Sequence, residues 1–193
     1  MLFRSRNSIY DNVTLDIDLN DDGVSTNDAN DADAGPNDIL NYPAITKVRH
    51  SGGTLTVDYT LDVPAGDYRI EFFKNPGGAH GSGNGGGESF AATHTITHGG
   101  TGSELFSHSF AGSAGDIVTS TATEEFAGPA YGSTSEFSNA ETAVGDIAAR
   151  WPLDETSGLT AVDIIASNNG AYRNGVTLNQ TAACANKIGR AHV

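Results

Sequence analysis

The sequence predicts an all-β protein built around an antiparallel β-sandwich, on three observations. Apolar and polar residues alternate in short runs such as Leu55-Thr56-Val57-Asp58-Tyr59-Thr60-Leu61, the period-two pattern of a half-buried strand. Further β-like runs follow at short intervals, each closed by Gly or Asp. Glycine supplies 24 of 193 residues, Ser and Thr are frequent, and Met and Trp occur once each. That composition belongs to strands and turns rather than to helix bundles.

Taken in order, the chain divides into three zones. Residues 1–43 are dominated by Asp and Asn. Between Asp16 and Asp38 lie eight Asp and four Asn with no Lys or Arg, so the block repels itself unless a cation condenses it. Residues 44–140 carry the sandwich. Leu55, Val57, Tyr59 and Leu61 share one face, and Tyr68-Arg69-Ile70-Glu71-Phe72 repeats the pattern with Arg69 and Glu71 expected outward. Pro64-Ala65-Gly66-Asp67 forms the turn between these two strands, and later strands are expected at 89–97, 105–110 and 117–123. About 95 residues are enough for one sandwich core. Residues 141–193, opening at Trp151-Pro152-Leu153-Asp154-Glu155, hold too little apolar material to close a core alone.

The sharpest motif is Asp18-Leu19-Asn20-Asp21-Asp22-Gly23, the first half of a calcium loop of the form D-x-[DN]-x-[DN]-G. Calcium takes six to eight hard oxygens, which alternate Asp and Asn side chains supply when the chain curls, and Gly23 permits the turn. The twelfth loop position is Ala29 rather than Glu, so this is not an EF-hand. A second acidic run, Asn27 to Asp33, follows at once. Asp18, Asn20, Asp22, Asp28, Asp31 and Asp33 are therefore the candidate ligands for Ca2+, against the plainer alternative of a solvated acidic linker.

Other constellations carry less. The run from Gly77 to Gly87 lacks the Lys-Ser/Thr pair of a phosphate loop and is expected to be a floppy connection between strands. His94 and His98 share a strand face, but their Cα atoms stand about 13 Å apart at strand rise, too far for one zinc. Both are expected to be exposed, and His80 and His108 add nothing by spacing. No G-x-S-x-G elbow occurs. Glu124 and Glu125 are adjacent and face opposite ways in a strand, so they cannot act as one acid/base pair. Cys184 is the single cysteine, which precludes an internal disulfide and a thiolate zinc site. Catalytic residues are thus not expected.

Charge narrows the partners. Twenty-four Asp and Glu against ten Lys and Arg give a formal charge of -14, which repels nucleic acid. No run approaches the roughly 20 apolar residues of a membrane helix, so membrane insertion is not expected. The chain opens without a signal peptide, and Ile188 to Val193 matches a translated frame of a common sequencing adapter. The expectation is a fragment of a longer protein.

Resemblances sharpen the picture. Asn7-Ser8-Ile9-Tyr10-Asp11-Asn12, with the acidic runs up to Gly35-Pro36-Asn37, resembles the terminal coil and closing loop of right-handed parallel β-helices in large bacterial surface proteins. Tyr68 to Pro76, with Thr121-Ala122-Thr123 and Thr134 to Ser138, resembles the immunoglobulin-like module that follows such helices. Trp151-x-Leu153-Asp154-Glu155-x-Ser157-Gly158, with Asp163 and Asn169-Gly170-Ala171-Tyr172, is similar to the start of laminin G-like, concanavalin A-type jelly rolls. The jelly roll lacks most of its strands here, so no lectin residue carries over. Together these imply a secreted or cell-surface bacterial protein. The implied architecture is a β-helix coil with a calcium-type loop (1–43), an immunoglobulin-like sandwich (44–140) and a truncated jelly-roll segment (141–193). The implied role is structural and adhesive, without catalysis, and the expected partners are carbohydrate or another surface protein. The alternative is the accessory C-terminal region of a secreted β-helix polysaccharide lyase or hydrolase.

Overall fold

The computed structural model describes residues 5–127, 130–145, 156–162 and 169–172. Two antiparallel-based sheets form the body of the chain. The first contains β1 (Ala44–Ser51), β2 (Thr54–Leu61), β5 (Glu104–Ala111) and β9 (Val144–Gly145), in the order β5-β2-β1-β9. The second contains β3 (Gly66–Lys74), β4 (Ser89–His98), β6 (Ile117–Phe126) and β7 (Ala130–Thr134), in the order β4-β3-β6-β7, with β8 (Glu141–Thr142) also on β6. Neighbours pair antiparallel except β9, which runs parallel to β1 through Arg49 and Val144. The expected all-β sandwich is present.

Period-two patterning explains the layers. Leu55, Val57, Tyr59 and Leu61 are buried on one face of β2, and Tyr68, Ile70 and Phe72 on the inner face of β3. Ile45, Val48, Ile96, Val118, Ala122 and Ala143 complete the cluster between the sheets. The turn at Pro64-Ala65 carries the chain from the first sheet to the second, because β2 and β3 belong to different sheets. The Tyr68 hydroxyl donates to the Pro64 carbonyl at 3.0 Å and pins that crossing.

Two expectations change on the outer face of the second sheet. Arg69 and Glu71 alternate away from the core as expected, yet Glu71 is only 6% exposed. The N-terminal segment covers them. The Arg6 N–H donates to Glu71 Oε2 at 2.9 Å, Arg69 donates to Glu71 Oε1 at 3.1 Å, and Arg69 Nη1 donates to the Tyr131 hydroxyl at 3.1 Å. The glycine run is not a floppy connection either: Gly85, Gly86 and Gly87 are buried. Gly87 and Ile9 exchange both backbone hydrogen bonds (2.7 and 3.0 Å), and the Gly86 N–H donates to Asp16 Oδ2 at 2.8 Å. Gly86 has φ +94°, and a Cβ there would stand 2.7 Å from Asn75 Oδ1, so only glycine fits.

The chain divides into one compact unit at Met1–Gly145 and a second at Asp146–Val193. Residues 5–43 therefore share a unit with the sandwich. They contain one 3-10 turn at Pro36–Ile39, in which Asn37 and Asp38 take left-handed conformations, a further turn at Ala29-Asn30, and the isolated bridge at Ile9. In the second unit the described residues form a two-stranded ladder of β10 (Thr160–Ala161) and β11 (Gly170–Ala171). Trp151 to Glu155, Asp163, Cys184 and Ile188 to Val193 lie outside the described residues. No helix among the described residues is long and apolar enough to cross a membrane.

Candidate functional site

Within the first unit the acidic segment lies against the sandwich and is held there by buried polar side chains. Asn41, 3% exposed, is the hub. Its Oδ1 accepts from the Asp28 N–H at 3.0 Å, and its Nδ2 donates to the carbonyls of Asp28 (2.8 Å) and Asp62 (2.6 Å). Its own N–H donates to Asp31 Oδ1 at 2.7 Å. Asp62 Oδ1 accepts from the Asn30 N–H at 3.0 Å. Asn27 closes a reciprocal pair with the Tyr42 backbone at 2.8 and 3.0 Å. Asn30 and Asp31 both take left-handed conformations (φ 58° and 53°), which Asn and Asp tolerate better than other L-residues.

This scaffold gathers three carboxylates. Oxygens of Asp28, Asp31 and Asp33 lie within 4.8 Å of one another. None of the three forms a salt bridge among the described residues. Burial raises the Asp31 carboxyl to about 6; the Asn41 N–H opposes this, and the charges of Asp33, Asp28 and Glu124 add to it. Asp33 is also pushed up, by lost hydration and by Asp28. The cluster thus holds like charges that water and protein neutralise incompletely.

Asp18, Asn20 and Asp22 lie outside this group. The chain does curl around Asp18 as its spacing predicts, with Gly23 at φ +95°. Asp18, however, accepts from the N–H groups of Asp22 (3.2 Å) and Gly23 (3.1 Å), so its carboxylate caps its own loop. Asn20 Oδ1 packs beside Gly35. The loop is fixed from the other side by Glu136, 2% exposed, which accepts from the Leu19 N–H (3.0 Å), the Ser25 N–H (2.9 Å) and the Ser25 hydroxyl (3.2 Å). Glu136 is absent from the sequence-derived set. It lies 111 residues from Ser25, and local spacing carries no trace of that contact.

The histidines also depart from expectation. His98 is 1% exposed; its Nδ1 accepts from the Gly100 N–H at 3.0 Å and its Nε2 donates to the Leu61 carbonyl at 3.1 Å. His94 on β4 and His108 on β5 stack with ring centroids 4.5 Å apart and planes 16° from parallel. The two sheets bring these rings together across 14 residues of sequence, a pairing that strand spacing cannot foresee. Glu124 and Glu125 do separate as expected: Glu124 accepts from the Ser133 N–H at 3.0 Å, while Glu125 lies 3.7 Å from Arg69.

No protein-family model and no curated protein matches the chain.

Proposed function

We propose that this chain is a non-catalytic structural and adhesive segment of a secreted or cell-surface protein, stiffened by calcium bound at Asp28, Asp31 and Asp33. The observation that carries the reading is the meeting of these three carboxylates on a loop tied to the sandwich through Asn41 and Asp62. Three carboxylates supply three to six hard oxygens of the six to eight that calcium takes. A divalent cation there would replace mutual repulsion with coordination; the Asp31 carboxyl is raised chiefly by burial, with the charges of Asp33 and Asp28 adding to it. Stiffening the segment would then lock the N-terminal part of the chain onto the immunoglobulin-like sandwich. Carbohydrate or another surface protein is the partner class this role implies.

Calorimetric titration of the whole chain tests the reading. Saturable binding at about 10⁻⁴–10⁻³ M calcium is expected, with a weaker response to magnesium, which demands a tighter octahedron. Asp28→Asn and Asp33→Asn should each weaken it, and Asp22→Asn should not. Absence of saturable binding up to millimolar calcium would leave the segment a charged surface loop.

A further inference from the structure

The two sheets end on the same side of the sandwich in β4 and β5, and neither strand has a neighbour beyond it in its sheet. An unpaired strand edge is a weak point, from which a sandwich opens and to which other strands add. Here an imidazole from each edge strand crosses the gap between sheets. His94 stacks on His108 at 4.5 Å, and its Nδ1 hydrogen-bonds the buried Tyr59 hydroxyl at 3.0 Å. His108 lies parallel to the Phe72 ring, 5.7 Å away and 9° from coplanar orientation. Both histidines are partly buried.

We propose that the His94–His108 stack is an acid-released latch, closed while both rings are neutral and forced open when they take up protons.

Two imidazolium rings at this spacing repel each other in a seam that is partly shielded from water. The surroundings offer no compensation. Tyr59 from β2 meets the His94 ring, and Phe72 from β3 and Phe110 from β5 meet the His108 ring. Of these only Tyr59 is ionisable, and its phenol carries no negative charge near neutral pH. Glu104, at the start of β5, serves the Gly99 N–H at 2.7 Å and lies 3.8 Å from His98. Asp58 on β2 and Glu71 on β3 face away from the seam, toward Arg49 and Arg69. No salt bridge reaches His94 or His108 among the described residues. The direction of titration agrees: burial lowers both histidines, and His108 lowers His94 further. An unfolded or opened seam therefore binds more protons than a closed one. Closure is at full strength above about 6.5 and weakens as pH falls from there through the depressed native values. Each unit of depression raises the open population about tenfold once both forms are below their pKa.

The experiment uses the full chain. Imidazole carbon-bound protons followed by NMR from pH 8 to 4.5 should show His94 and His108 charging below about 6.5. Amide exchange, corrected for its intrinsic pH dependence, should accelerate about tenfold or more in β4 and β5 relative to β1 and β2 between pH 7.5 and 5. His108→Phe keeps a stacked ring without the charge, and should abolish that acceleration. The latch is refuted if either histidine charges at or above about 6.5, or if β4 and β5 gain no exchange over β1 and β2 in acid. It is equally refuted if folded His108→Phe opens in acid as the parent does. Should that variant not fold, the first two readings on the parent chain still decide.

Discussion

Replacing Glu136 by Ala should free the acidic segment while leaving the sandwich folded. The carboxylate sits 2% exposed and accepts three hydrogen bonds, two of them from backbone N–H groups of Leu19 and Ser25. Hydrogen bonds to a charged acceptor contribute about 1.5–3 kcal/mol each, so the three set an upper bound near 9 kcal/mol. The actual loss is smaller, because residues 18–25 can lift off and return their N–H groups to water. That escape caps the cost at the free energy with which the segment is docked, and we expect a loss of about 3 kcal/mol. Glu136→Gln retains one acceptor oxygen but turns an amide donor toward N–H groups, so it should lose nearly as much. Limited proteolysis resolved by mass spectrometry, alongside urea unfolding, measures both effects. New cleavage should appear within residues 18–33 with little change in β1 to β6. Unchanged protection of residues 18–33 in Glu136→Ala would show that Asn41 and Asp62 hold the segment without it, and the reasoning would fail.

Three further outcomes are expected. Phe72→Ala should cost about 3–5 kcal/mol by urea unfolding, since Phe72 is fully buried against Tyr59, His108 and Phe110, and a loss under 1 kcal/mol would contradict that packing. Asp31→Asn should raise calcium-free stability at pH 7.5 by about 1 kcal/mol, a two-unit shift discounted for the solvent that reaches a half-exposed group, and should change little at pH 4. Its sign follows from a native pKa raised from 3.8 to about 6: the folded state binds the proton better, so stability falls as pH rises through that window. A piece limited to residues 44–140 should melt lower than residues 1–145, because it loses Asn41, the covering of Glu71, and Ala143 with the β8 and β9 pairings.

What the sequence disclosed followed the range over which its signals act. Alternation is a property of neighbours, so the inner faces of β2 and β3 were legible residue by residue, from Leu55 to Leu61 and from Tyr68 to Phe72. The curl at Asp18 to Gly23 was legible for the same reason, since its hydrogen bonds span four and five residues. Burial of Glu71 was not, because alternation names a face and cannot say what lies on it; the cover is Arg6, 65 residues away. The glycine run misled in the same way. Flexible composition describes a chain without partners, whereas Ile9 and Asp16 supply partners to Gly86 and Gly87 from another zone. Of the six candidate ligands, Asp28, Asp31 and Asp33 converge because Asn41 and Asp62 organise their turn. Asp18 lies outside that group; its oxygens accept from the N–H groups of its own loop, as those of Asp28 accept from the Ala32 N–H, so position in the fold and not capping separates the two.

The acidic cluster and the histidine seam respond to protons with opposite signs, and their windows overlap. As pH falls from about 6.5, charging of His94 and His108 weakens the native state, while protonation of Asp31 below about 6 relieves it. The two sites lie on different parts of the unit: one is tied to Asn41 and Asp62, the other crosses from β4 to β5. A melting temperature sums both contributions and can stay nearly flat through the interval in which each site changes most. Flatness in such a profile would therefore be no evidence that either site is inert. Acid would move the point of weakness from the carboxylate cluster to the sandwich edge, and calcium bound as proposed would stabilise the cluster only while it is ionised. Separating the terms requires a local probe or a variant that silences one site. His108→Phe should leave the stabilising slope of Asp31, and Asp31→Asn the destabilising slope of the seam, so the two single variants should bend the pH profile in opposite directions.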